Sequence, residues 1–280
     1  MNNEKPLISC LCVTRNRVTH LQRVIDNFRH QTYSNKELVV VFESDDLMTK
    51  QLASSSKVSN IKWHEVASNP KMSLGNLRNL SIELAAGEYF CQWDDDDWYH
   101  RERIEMQLNC LLESHKSACL LGYWLIYDSV DEKAYLSHME AWGGTILCRR
   151  DVVSEFNRYP DQTRHEDTHF IRDVITLKNF VPLIMPSLYI YVFHGRNTFE
   201  RAHFQELFAM GQALPAHIGQ VVKNIFDNKI PYIEACRLLR DKSVLTELDY
   251  FHASDVKGGY DNDKITKRAA ESRKILYKQM

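Results

Sequence analysis

Short apolar runs alternate with helically spaced apolar residues through the first hundred positions, and each run ends at a polar cluster. Leu7–Val13 lies between Pro6 and Thr14-Arg15-Asn16-Arg17, and Glu37–Phe42 carries Leu38-Val39-Val40-Val41. Ile61–Val66 is a weaker third run, and Tyr89–Trp93 is a fourth that meets Asp94-Asp95-Asp96-Asp97 directly. Runs with little polar alternation read as strands covered on both faces. Between them, Val18, Leu21, Val24, Ile25 and Phe28 recur at helical spacing, as do Leu74, Leu77, Ile82, Leu84 and Ala85. Ile104, Leu108, Leu111 and Leu112 continue the alternation. Strands and helices in turn imply an α/β fold, a mostly parallel sheet with helices on both faces. Gly87 is expected to end its helix in the left-handed conformation.

Open sheets of this kind bind ligands beyond the carboxyl ends of their strands. Thr14–Arg17, Glu43–Asp46 and Asp94–Asp97 all fall at such ends, so three polar clusters are expected to share one crevice. The second half is more mixed. Ala118–Tyr127 and Thr145–Cys148 read as strands, with a hairpin-like Ala134–His138 and Gly143-Gly144 between them. Val181–Phe193, interrupted by Pro182 and Pro186, reads as two short strands. From Glu200 the pattern is helical, with Ile225–Phe226, Ile233–Leu239 and Ile265–Leu276 as segments and Asp255–Asp263 as a linker.

The charge balance narrows the partners. Thirty-five basic residues against 37 acidic ones give a formal net charge of −2, whereas nucleic-acid binders carry a basic excess. Nucleic acid is therefore not an expected partner. Seven cysteines, without a CxxC pair and mostly within apolar runs, read as reduced core thiols. Met1–Pro6 lacks the apolar core of a signal peptide, and no stretch approaches the roughly 20 apolar residues of a membrane span. These features predict a soluble, cytoplasmic protein.

Four consecutive aspartates are not a fold requirement. Crowded carboxylates repel, and a strand end gains from them only when something positive binds. Their oxygens are hard ligands suited to Mg²⁺ or Mn²⁺, ions that also bridge phosphates. A calcium loop would need alternating acids and a distal glutamate, which Asp94–Asp97 does not supply.

The ordered set of motifs resembles the GT-A glycosyltransferases of family 2. It comprises Ile8–Arg17, Gln31-Thr32-Tyr33 to Val41, Leu74-Gly75-Asn76-Leu77-Arg78-Asn79, and Ala86-Gly87-Glu88-Tyr89. Gln92-Trp93-Asp94-Asp95-Asp96-Asp97-Trp98, Gly144-Thr145 with Arg149-Arg150, and Glu166-Asp167 complete it, so that it covers roughly residues 5–200. The resemblance implies a GT-A domain over 1–199, with a nucleotide-sugar half of about 1–99 and an acceptor half of about 100–199, and a helical extension over 200–280.

It also implies roles for particular residues. Asp94, Asp95 and Asp96 match the DxD-type motif, with Asp96 as metal ligand and Asp95 as ribose contact. Thr14 and Arg17 lie where the family approaches the base, and Arg78 where it neutralises the nucleotide. The family's Asp-Asp-Gly-Ser is replaced by Phe42-Glu43-Ser44-Asp45-Asp46, which gives the base-reading place to Glu43 and leaves the base open. Asp167 matches the general base of an inverting transfer and Glu166 the acid that orients the acceptor. His194 is the distal metal histidine, Arg196 reaches the pyrophosphate, and Trp142 either stacks on an acceptor sugar or fills the core. The implied donor is a UDP- or dTDP-sugar with Mn²⁺ or Mg²⁺, and the acceptor a glycan, glycolipid or protein. Peripheral membrane association and homo-oligomer formation stay open.

Rival readings lack their marks. A nucleotidyltransferase would want a glycine-rich basic loop after the first strand, and Thr14-Arg15-Asn16-Arg17 has no glycine. A non-catalytic sugar-nucleotide binder would not need both acid clusters. A glycoside hydrolase has no use for a metal-type acid run, and no GxGxxG marks a dinucleotide enzyme.

Overall fold

Strand β1 (Ile8–Thr14) opens the computed structural model, which describes residues 5–153, 158–176, 179–244 and 248. It is followed by α1 (Val18–Arg29), β2 (Lys36–Glu43), α2 (Leu47–Ser55), β3 (Ile61–Val66), α3 (Leu74–Leu84), β4 (Tyr89–Gln92) and β5 (Trp98–Tyr99). Then come α4 (Arg103–Ser114), β6 (Ala118–Leu121), β7 (Leu125–Asp128), β8 (Lys133–Leu136), β9 (Leu147–Arg149) and α5 (Glu166–Thr176). The remainder comprises β10 (Phe180–Leu183), β11 (Tyr189–Phe193), α6 (Arg201–Met210), β12 (Gln212–Ala213), α7 (Ala216–Phe226) and α8 (Tyr232–Leu239).

These elements form two compact units, one of residues up to Leu120 with Trp142–Leu183, the other of Leu121–Ala141 with the residues from Ile184 onward. The first contains a sheet in the order β10-β6-β9-β4-β1-β2-β3. β4, β1, β2 and β3 run parallel, as the unbroken apolar runs predict, and β9 is antiparallel to β4 and β6. Leu38, Val39, Val40 and Val41 have no exposed surface, nor do Ile8, Cys10 and Cys12. All seven cysteines are free thiols. Parallel register sets Thr14 beside Phe42 and Leu11 beside Gln92, so the carboxyl ends of β1, β2 and β4 are neighbours.

At the opposite end of these strands, Ser9 Oγ donates to Glu37 Oε1 at 2.6 Å, and the backbone N–H of Ala86 donates to the same oxygen at 2.7 Å. Gly87 N donates to Ser9 Oγ at 2.9 Å. This corrects the expectation for Gly87. Its φ is not left-handed; a Cβ there would come within 2.6 Å of Ser9 Oγ and 2.7 Å of the Leu7 carbonyl, so the chain needs glycine for close approach. Helix α2 has no counterpart in the apolar pattern because only Thr49 of it is buried. Its start is fixed instead by Asp46, which accepts from Thr49 N at 3.0 Å and from Thr49 Oγ1 at 2.7 Å.

The expected strand Ala118–Tyr127 is two strands. β6 pairs with β9, whereas β7 pairs with β8 and β11, and residues 122–124 separate them. In the second unit the β7–β8 turn is closed by Asp128, whose Oδ1 accepts from Val130 N and Asp131 N. Aromatic pairs seat the helices on these strands: Tyr127 on Phe226 at 4.8 Å, Tyr135 on Phe208 at 4.8 Å, and Phe193 on Phe204 at 4.6 Å. The expected segment Ile225–Phe226 is the end of α7, and Ile233–Leu239 is all of α8 but its first residue. Asp255–Asp263 and Ile265–Leu276 lie outside the described residues.

Candidate active site

The acid run is a tight, anchored turn between β4 and β5. Trp93 and Tyr99 on either side of it stack at 3.9 Å, both without exposed surface. Tyr99 Oη donates to the Asp94 carbonyl at 3.0 Å, and Arg23 Nη2 donates to the Asp96 carbonyl at 2.8 Å. The backbone of the run is thus held from both sides, and its carboxylates are aimed rather than solvated.

Each carboxylate has a distinct environment. Thr14, at the end of β1, donates from Oγ1 to Asp95 Oδ2 at 2.7 Å. Arg17, at the start of α1, reaches Asp95 Oδ1 at 3.0 Å and Asp96 Oδ2 at 2.8 Å through one nitrogen. Two carboxylates share that guanidinium. Burial, and then the charge of Asp96, push the Asp95 carboxyl up to about 7, against the pull of Arg17 and Thr14. Asp94 instead accepts from Gln92 Nε2 at 2.8 Å and from Arg78 Nη2 at 3.2 Å.

Arg78 joins this cluster to the second acid pair. Arg78 is 8% exposed, and its guanidinium also lies 3.1 Å from Glu166 Oε1 through Nε. Burial alone would weaken its proton affinity, but Asp94 and Glu166 outweigh burial and raise it. Glu166 and Asp167 occupy the first turn of α5. Burial pushes the Glu166 carboxyl up to about 7 despite Arg78, and burial likewise raises Asp167.

The approach to that turn is clamped by α3. Asn79 Nδ2 donates to the Tyr159 carbonyl at 2.7 Å and Tyr159 N returns a bond to Asn79 Oδ1 at 3.0 Å. Gly75 N donates to the Gln162 carbonyl at 2.9 Å, and a Cβ on Gly75 would overlap the Pro160 carbonyl oxygen. The Leu74–Asn79 motif therefore has a mechanical role that its sequence does not announce. Arg23, Asn79 and Arg103 are the residues that sequence reasoning left unassigned, and a helical arginine or asparagine gives no signal of burial.

Glu43, at the end of β2, is buried and pairs with Arg15 at 2.9 Å, while its Oε1 is buried without a hydrogen-bond partner among the described residues. Arg15 also reaches Asp45 at 3.0 Å. Trp142 is half-buried and precedes the 3₁₀ turn Gly143–Thr145. His194 and Arg196 follow β11 in the second unit, where His194 Nδ1 accepts from Arg196 N at 3.2 Å.

The donor set fits a hard divalent cation. Asp95 and Asp96 present carboxylate oxygens with one shared arginine between them. Among the described residues no group of three or more His, Cys, Asp and Glu could hold an ion unaided. Mg²⁺-type ions are commonly held by one or two carboxylates together with substrate phosphates.

Residues 9–176, more than half of the chain and all of this acid framework, match the model of glycosyl transferase family 2. The chain belongs to this family. The match stops short of the roughly 200 residues that the motifs suggest, so His194 and Arg196 fall outside it. AmsB, the amylovoran biosynthesis glycosyltransferase of Erwinia amylovora, is 29% identical over 89 residues, 31% of this chain and 30% of that protein. The chain spans 30–40% of the length of the first curated relatives it matches. S. aureus TarS 1–349 in complex with UDP-GlcNAc aligns with a TM-score of 0.55 at 14% identity, over 95% of this chain and 91% of that one. The mannosyltransferase PcManGT of Pyrobaculum calidifontis, in complex with GDP-Man and Mn²⁺, gives 0.53 at 13% identity over 96% and 81%. Both likenesses establish the fold, which is GT-A. Among the described residues no helix is long and apolar enough to cross a membrane.

Proposed function

We propose that the chain is an inverting, metal-assisted glycosyltransferase that moves a sugar from a UDP- or dTDP-sugar to an acceptor hydroxyl. The observation that carries this reading is the Arg78 bridge, one buried guanidinium 3.2 Å from Asp94 and 3.1 Å from Glu166. It joins a donor-type acid cluster to an acceptor-type acid pair. A binding protein has no need of the second cluster.

On this reading Asp167 takes the proton of the acceptor hydroxyl while that oxygen attacks the anomeric carbon and the bond to the diphosphate breaks. A carboxyl that burial raises is a stronger base than an exposed one, and a positioned base contributes about 10²–10⁴-fold. Glu166 orients the acceptor and Trp142 stacks on its sugar. Asp95 contacts the ribose, with Asp94 beside it, and Thr14, Arg17 and Glu43 line the nucleotide. Arg78 Nη1, buried without a hydrogen-bond partner among the described residues, is the atom left to meet donor charge. Asp96 and His194 would hold Mn²⁺ or Mg²⁺, and Arg196 would approach the pyrophosphate. The bound ion neutralises the departing diphosphate. The AmsB likeness favours a glycan acceptor in polysaccharide biosynthesis. The helices after about residue 200 are read as an appendage that covers the catalytic domain, mediates self-association or holds the acceptor.

The test is a donor screen in which purified protein, Mn²⁺ and a panel of nucleotide sugars are assayed for released nucleotide, with and without glycan acceptors. Release from one uridine or thymidine donor, lost on adding EDTA, is expected. Release that survives EDTA and exhaustive dialysis would remove the metal from the reading. No release from any donor would remove the activity.

A further inference from the structure

Asp167 occupies the space that a side chain on residue 143 would fill. A Cβ on Gly143 would lie 2.7 Å from the Asp167 Cβ and closer still to Oδ2. The proposed base is thus seated on bare backbone, and that backbone is unusually well fixed. Thr145 Oγ1 donates to the Trp142 carbonyl at 2.8 Å and Ile146 N to the Gly143 carbonyl at 3.2 Å. From beneath, Arg103 Nη2 donates to the Gly144 carbonyl at 3.0 Å, and Gln107 Nε2 donates to the Thr145 carbonyl at 2.8 Å. Arg103 Nε also donates to Gln107 Oε1 at 3.0 Å.

The same guanidinium lies over the rings that flank the acid run, 4.8 Å from the Tyr99 centroid and 5.3 Å from that of Trp93. Arg103 has no exposed surface. Burying a guanidinium costs desolvation that an apolar side chain of similar volume would avoid, so the fold alone gives no reason for one here. What arginine supplies is planar stacking on the aromatic rings together with a fork of donors to the turn.

We infer that Gly143 and Arg103 are positioning residues for the transfer: Gly143 is the seat of the Asp167 carboxylate, and Arg103 locks that seat in register with the aromatic frame of Asp94–Asp97. The inference rests on Asp167 as the base. It goes beyond that assignment by naming what sets the base's distance from the donor site. A displacement of about 1 Å at a reacting group can cost about 10²-fold, and a methyl on residue 143 forces a displacement of that order.

Gly143→Ala, Asp167→Asn and the double variant test this through kcat, donor affinity and the titration of the Asp167 carboxyl. That carboxyl is followed by ¹³C NMR and assigned by its loss in Asp167→Asn. The seat requires kcat in Gly143→Ala to fall about 10²-fold with donor affinity kept within about twofold. The double variant should be no slower than Asp167→Asn alone, because both changes act on one group. The titration midpoint should fall, since a carboxylate pushed off the turn loses burial. Gln107→Glu is the second variant. It keeps an oxygen for Arg103 but withdraws the N–H from the Thr145 and Cys119 carbonyls, and it should lower kcat by a smaller amount with donor affinity kept. Losses that multiply in the double variant would place the effect of residue 143 elsewhere and overturn the inference. So would wild-type kcat in the two single variants with a wild-type midpoint in Gly143→Ala. A wild-type protein that transfers sugar while Asp167→Asn does so equally well would instead sink the assignment of the base, and the titration arm would still decide the seat.

Discussion

Replacing Glu166 by glutamine tests how the fold tolerates its own acid cluster. The residue is 3% exposed, and burial raises its carboxyl from 4.5 to about 7 even with Arg78 Nε 3.1 Å away. Between pH 4.5 and 7 the native state therefore binds more protons at this site than the unfolded chain does. Stability from this group is complete below about 4.5 and is lost as pH rises through about 7, the reverse of a carboxylate held by a salt bridge. A rise from 4.5 to about 7, at roughly 1.4 kcal/mol per unit, puts the cost of the ionised form at roughly 3–4 kcal/mol. Glutamine matches the neutral acid in shape and avoids that cost. Glu166→Gln should accordingly melt roughly 5–10 °C above wild type at pH 8.5 and within a degree or two of it at pH 5. Thermal melts without metal or nucleotide read this directly, and acceptor KM should rise in the same variant. Equal destabilisation at both pH values would instead make Glu166 a net stabilising partner of Arg78 and contradict a burial-raised carboxyl.

Three further outcomes follow from the same geometry. Asp96→Asn should abolish turnover and weaken nucleotide diphosphate binding in Mn²⁺, and EDTA should reproduce the defect in wild type; undiminished Mn²⁺-dependent binding, measured calorimetrically, would remove Asp96 from the ion. His194→Ala should give a milder loss of metal dependence, since its Nδ1 already accepts from Arg196 N; an unaltered Mn²⁺ titration of activity would take it out of the shell. Gly75→Ala forces a methyl onto the Pro160 carbonyl, so it should destabilise by about 1–3 kcal/mol and slow transfer through the loop that leads to Glu166; wild-type denaturant midpoint and kcat would contradict the clamp.

The first hundred residues were legible because their signals are local. Val39-Val40-Val41 and Ile8–Cys12 are buried stretches of parallel strands, and such strands read as unbroken apolar runs. Asp94–Asp97 stood out because nothing in a strand end calls for it. What escaped was set by tertiary contact. Arg103 resembles any arginine at the start of a helix, and only the fold stacks it on Tyr99 and Trp93. Gly87 has the sequence look of a helix stop, yet Ser9 and Leu7 press on it from a strand nearly 80 residues away. The break between β6 and β7 was also invisible, because both halves are apolar and they pair in different sheets.

Single-turnover transfer by Asp167→Asn, with a donor and acceptor that the wild type uses, isolates the role of the Asp167 carboxylate. Asparagine preserves the size of the side chain seated on Gly143 but takes up no proton at neutral pH. The chemical step should fall about 10²–10⁴-fold with donor affinity unchanged. Transfer at the wild-type rate would contradict that role, and near-normal transfer by Asp167→Asn beside a dead Glu166→Gln would exchange the two roles.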